Sequence, residues 1–85
     1  DMTFLMSQMK LREQLGAVTT AAEPFAELDL VAIEVTKQLN NLQEQFGTQY
    51  GQDAFDEAAQ TLVKMQFFYK LQLEVDALEE SLEDA

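Results

Sequence analysis

A chain of 85 residues, 47% hydrophobic and 25% charged, has room for one small folded domain with a modest core. It contains neither cysteine nor histidine, which rules out disulfides and removes the usual metal ligands and general bases, so no metal and no cofactor is expected. A net charge of −11 repels phosphate backbones and anionic lipid. The expected partner is therefore a basic protein, with no nucleic acid and no membrane, although the acid also serves simply to keep a helical protein soluble.

Helix formers dominate, and no strand-like alternation persists. The first predicted helix covers about residues 2–18, with Asp1 or Thr3 as its cap and Gly16 as a weak spot near its end. "TTAAEP" reads as the connection. The second begins near Pro24, a residue suited to a first turn, and runs to about Phe46. Phe25, Leu28, Val31, Val35, Leu39, Leu42 and Phe46 recur at helical spacing and form its stripe. "FGTQYGQ" then supplies the turn, with Gly47 and Gly51 free to take left-handed conformations.

The third predicted helix is the longest, about residues 53–82, with Asp53 as cap and Asp56 and Glu57 favouring its positive start. Its stripe starts as Phe55, Ala58, Leu62, Met65 and Tyr69, then continues on a rotated track as Phe68, Leu71, Val75, Leu78 and Leu82. The end, "EESLEDA", is expected to fray. Three helices with short connections give an all-α, antiparallel three-helix bundle with a long third helix. It is expected to be a single domain over residues 1–85. The start at Asp1, directly ahead of a helix signal, suggests a fragment of a longer protein.

The stretch "TFLMSQMKLREQL" has too many large apolar residues for one buried face. At about 100° per residue, Phe4, Leu11, Leu15 and Val18 fall on one side, while Met2, Leu5, Met6 and Met9 centre roughly opposite. Either both faces are buried, by bundle geometry or by a second copy of the chain, or the second face is an exposed patch for a partner. Methionine suits a surface that must adapt to another protein, and Lys10 and Glu13 flank the patch as a polar rim. Phe67 lies off the early track of the third helix, either as a marginal core residue or as part of the same patch.

Chemistry is hard to place. Carboxylates are plentiful, but Glu79, Glu80, Glu83 and Asp84 sit at the predicted frayed end, and Asp53, Asp56 and Glu57 have a capping explanation. There is no EF-hand spacing and no phosphate-binding glycine loop, and Ser7 and Ser81 have no histidine partner. No catalytic residue is assigned, and an enzyme is not expected.

"FLMSQMKLREQL" near the start and "DEAAQTLVKMQFFYKLQLEVDALEESL" near the end resemble the C-terminal domain of HscB, the J-type co-chaperone of iron–sulfur cluster assembly. That family's domain opens with a phrase like F-L-M-x-Q-x-x-x-R-E-x-L and closes with a long helix carrying K-L-x-F-x-x-K-L. The middle helix matches by hydrophobic pattern alone. The resemblance implies a three-helix domain that holds the IscU-type scaffold protein and delivers it to the HscA-type heat-shock chaperone. An N-terminal J-domain with a His-Pro-Asp signature stimulates that chaperone. These 85 residues have no histidine, and Pro24 is not followed by Asp, so the J-domain is expected to be absent and the chain to bind scaffold without stimulating the ATPase.

Carried over by position, the family's scaffold-binding residues are Leu5, Met6, Met9 and Phe67, with Glu13 among its acidic positions. Lys10 and Ala17 stand where the family is commonly acidic, so apolar contact is expected to matter more than steering. Truncating Leu5 or Phe67 is expected to cost little stability and much binding. The resemblance also implies a bacterial cytoplasmic setting ahead of a mitochondrial matrix. The rival reading is a structural homo-oligomer, paired through the Met-rich face or through the seam from Phe68 to Leu82.

Overall fold

The computed structural model describes residues 2–84. It contains helix α1 (Met2–Gly16), a short 3-10 turn (Val18–Thr20), helix α2 (Pro24–Gly51) and helix α3 (Phe55–Glu83). No strand occurs among the described residues, and the architecture is the expected all-α three-helix bundle.

The long helices α2 and α3 form an antiparallel hairpin that carries most of the packing. On α2 the buried stripe is Leu28, Val31, Val35, Leu39 and Leu42. Its spacings of three and four keep these side chains on one face. On α3 the facing stripe is Ala58, Thr61, Met65, Phe68, Leu71 and Val75. Phe68, Leu28, Leu71, Val18 and Val35 are the largest side chains sealed completely. Burying one such side chain is worth about 1.5–3 kcal/mol.

Helix α1 has 15 residues against 28 and 29 in its neighbours. At about 1.5 Å per residue it covers only part of the hairpin. Phe4 sits among Gln38, Leu42, Lys64 and Phe68, whereas Arg12 reaches Glu74. Helix α1 therefore runs antiparallel to α2 and parallel to α3. The part of the hairpin nearest its turn extends past the start of α1, giving a molecule of 48 × 24 × 15 Å. Helix α1 buries Leu11, with Phe4 and Leu15 packed against the core beside it.

Several boundaries depart from the sequence expectation. Helix α1 ends at Gly16, and Val18 reaches the core from the 3-10 turn instead. Asp1 lies outside the described residues, and Thr3 lies inside the helix rather than capping it. Helix α2 runs through Phe46 and Gly47 to Gly51, and no glycine among the described residues has positive φ. Packing outweighs the glycine cost there. The Thr61 hydroxyl donates to Gln49 Oε1 at 2.7 Å, and the Tyr50 ring meets Phe46 and Phe55.

The left-handed position of the turn is Asp53, with φ of 58°. Asp53 consequently does not cap α3, whose first residue follows Ala54 with no side-chain cap bond. The far end of α3 stays helical to Glu83, across the segment expected to fray.

The two rotated tracks of α3 are a single seam. Phe55, Leu62 and Tyr69 are exposed, and small or polar Ala58 and Thr61 take the buried places. Small residues let the helices approach closely near the turn, where no third helix lies alongside. Phe25 likewise turns outward, 49% exposed, at the start of α2.

Gly47 is helical, and a methyl group added to it would meet nothing within 4 Å. Gly47→Ala is therefore expected to stabilise the protein by about 0.5–1 kcal/mol and raise Tm by a few degrees. A fall in Tm on thermal melting would show that this position needs glycine's freedom.

Candidate docking surface

Because α1 lies outside the hairpin, only one of its faces can be covered by α2 and α3. Leu11 occupies that face and is 2% exposed. Leu5, Met6 and Met9 lie on the opposite side and are 49%, 64% and 63% exposed. Met2 is exposed as well. Glu13 follows Met9 by one helical turn and ends the apolar stretch with an exposed carboxylate.

The two shoulders of this face differ. Towards α2, Met6 and Lys10 border a shallow groove whose far wall is Leu30 and Glu34. Towards α3, the shoulder is built from Phe67, Arg12 and Glu74. Phe67 is half-buried against the core cluster, with its ring edge-on to Phe4 at 5.8 Å and to Phe68 at 5.0 Å between centroids. The Arg12 guanidinium carbon stands 5.5 Å from the Phe67 centroid, and Arg12 Nη1 donates to Glu74 Oε2 at 2.6 Å. Leu5 precedes Arg12 by two turns on nearly the same line of α1, which sets it on the Phe67 side.

Leu5, Met6, Met9 and Glu13 thus share one helix face, and Phe67 joins it from α3 at the margin of the core. The expectation that Phe67 could be cut back at little cost to stability needs revision, since its ring has three packed partners. Leu30 and Arg12 also border the surface, and neither is among the site residues expected from the sequence. The available signals were a large aliphatic off the α2 stripe and the chain's single arginine.

The arrangement offers an adaptable apolar surface with charged edges. Among the described residues no group of His, Cys, Asp or Glu is placed to hold a metal ion, and no helix is long and apolar enough to cross a membrane. The profile of the HSCB C-terminal oligomerisation domain matches residues 1–76.

The chain belongs to the HscB C-terminal domain family. It is 38% identical over 82 residues to the co-chaperone protein HscB homolog of Vibrio cholerae serotype O1 (strain M66-2), covering 96% of this chain and 48% of that protein. The HscB homolog of Pseudoalteromonas atlantica is 36% identical over 87 residues, covering 99% of this chain and 50% of that protein. The structure of chaperone HscB from Vibrio cholerae superposes with a TM-score of 0.89 at 38% identity, covering 96% of this chain and 50% of that one. The chain therefore spans about half the length of the HscB relatives it matches.

Stability should separate the two faces of α1. Leu11→Ala is expected to cost ~2–5 kcal/mol, as for other buried leucines. Leu5→Ala and Met9→Ala are expected to stay within about 0.5 kcal/mol of the parent. Phe67→Ala should fall between, because it forfeits two edge-to-face contacts worth about 0.5–1.5 kcal/mol each. Urea titration followed by circular dichroism measures all four, and equal losses for Leu5→Ala and Leu11→Ala would overturn the assignment of faces.

Proposed function

We propose that this chain is the substrate-docking part of an HscB-type co-chaperone and has no catalytic role. In this reading it holds an IscU-type iron–sulfur scaffold protein on the face formed by Leu5, Met6, Met9 and Phe67, with Glu13 at the rim. The full-length protein then delivers the scaffold to an HscA-type chaperone in a bacterial cytoplasm. Stimulation of that chaperone belongs to a J-domain bearing His-Pro-Asp, and these 85 residues contain no histidine.

One observation carries the proposal. Three large apolar side chains of one helix, Leu5, Met6 and Met9, face away from the bundle core and stand largely exposed. Isolated exposed apolar residues are ordinary, whereas a contiguous set with polar edges marks an interaction surface. The helix beneath packs on the hairpin, so the surface is presented without the cost of ordering its backbone. Family membership supports an iron–sulfur scaffold as the occupant.

Titrating the chain with purified scaffold protein, followed by calorimetry and backbone NMR, tests this. Leu5→Ala is expected to weaken binding by about 2 kcal/mol or more, roughly thirtyfold, as for a central anchor. Tyr50→Ala, at the far end of the hairpin, should bind like the parent. Resonance shifts that fall on the α2–α3 turn instead of α1 would sink the reading.

Self-association is a second reading, supported by the word "oligomerisation" in the family's own description. Sedimentation at several concentrations distinguishes it. A monomer of 9.6 kDa throughout leaves the face free for the scaffold, and a concentration-dependent dimer abolished by Met9→Glu would favour pairing of copies.

A further inference from the structure

Phe67 presents a half-buried ring with the Arg12 cation beside it. Arg12 places its guanidinium carbon 5.5 Å from the ring centroid, within the range of a cation–π contact. The same side chain forms its ion pair with Glu74, about two helical turns past Phe67 on the same helix as the ring. Arg12 is the chain's one arginine, set among 16 acidic side chains. A planar guanidinium can stack on a ring and donate to a carboxylate at once, which an ammonium does poorly. Beneath, Phe4 and Phe68 hold the other edges of the Phe67 ring.

We infer that Arg12, tethered by Glu74, is a positioning residue that fixes the Phe67 ring in its docking orientation. The inference rests on the docking reading above. An aromatic anchor that must be immobilised during binding forfeits affinity, and a ring already clamped on three sides does not. Arg12 acts through the ring and not through contact with the scaffold. Lysine in its place would keep a charge near the ring but lacks the planar group that lies beside the ring and reaches Glu74 at once, so it restores the effect only in part.

The test uses the 85-residue chain with purified IscU-type scaffold protein. Arg12→Met keeps the apolar stem and removes the cation. It is expected to weaken binding about three- to tenfold, the cost of immobilising one side chain. Tm should hold within a few degrees, because an exposed ion pair adds little to stability. In a Phe67→Ala background the same substitution should have no further effect on binding, and Arg12→Lys should fall between parent and Arg12→Met. Without scaffold, Arg12→Met and Glu74→Gln should both shift the aromatic NMR resonances of Phe67.

Equal weakening with and without the Phe67 ring would overturn the inference, since Arg12 would then touch the scaffold directly. Unmoved Phe67 resonances in Arg12→Met would overturn it too, whatever the binding result. A parent chain that leaves the scaffold unbound would instead overturn the docking reading on which the inference stands.

Discussion

One ring of α1, Phe4, packs edge-on to two rings of α3, at 5.8 Å from Phe67 and 5.9 Å from Phe68. This contact fixes the rotation of α1 about its own axis. Once Phe4 points into the hairpin, Leu11 and Leu15 follow on the same side, and the 3.6-residue period turns Leu5, Met6 and Met9 outward. The exposed face is thus the geometric complement of the core. Aromatic pairs of this kind add about 0.5–1.5 kcal/mol beyond the area they bury, which makes the orientation costly to change.

Much of this was legible in the residues, and what was not has specific causes. The doubled apolar character of "TFLMSQMKLREQL" raises the question of a second face on α1 but leaves open whether it is buried or exposed, whereas the α2 stripe from Leu28 to Leu42 is readable from spacing alone. The α3 seam was harder to see. Near the turn its buried positions are Ala58 and Thr61, while Phe55 and Leu62 carry more apolar surface and face solvent. Side-chain hydrophobicity does not report where a neighbouring backbone lies. Gly47 and Gly51 misled for a related reason: their local preference of about 1 kcal/mol against helix is small beside the packing that extends α2 through them. At the surface, only the placement of α2 and α3 joins Leu30 to the border of α1 and sets Arg12 against Phe67.

Charge in this molecule is distributed with more order than its excess of acid suggests. Lys64 stands over the Phe4 ring at 5.4 Å, just as Arg12 stands over Phe67. Two of five basic side chains therefore shield aromatic faces at the seam between α1 and α3. The rings are kept partly covered without being sealed.

The hairpin's reach beyond the start of α1 has a mechanical corollary. The bundle tapers like a wedge, three helices thick at one end and two at the other, and its thin end is closed by Ala58, the Thr61–Gln49 hydrogen bond and the partly exposed rings of Phe46, Tyr50 and Phe55. Cooperative protection is least where buried contacts are fewest. Amide exchange should quicken from the blunt end towards Asp53, and opening should begin at the tip. Loosening at the tip would then leave the ring cluster, and the face it orients, undisturbed.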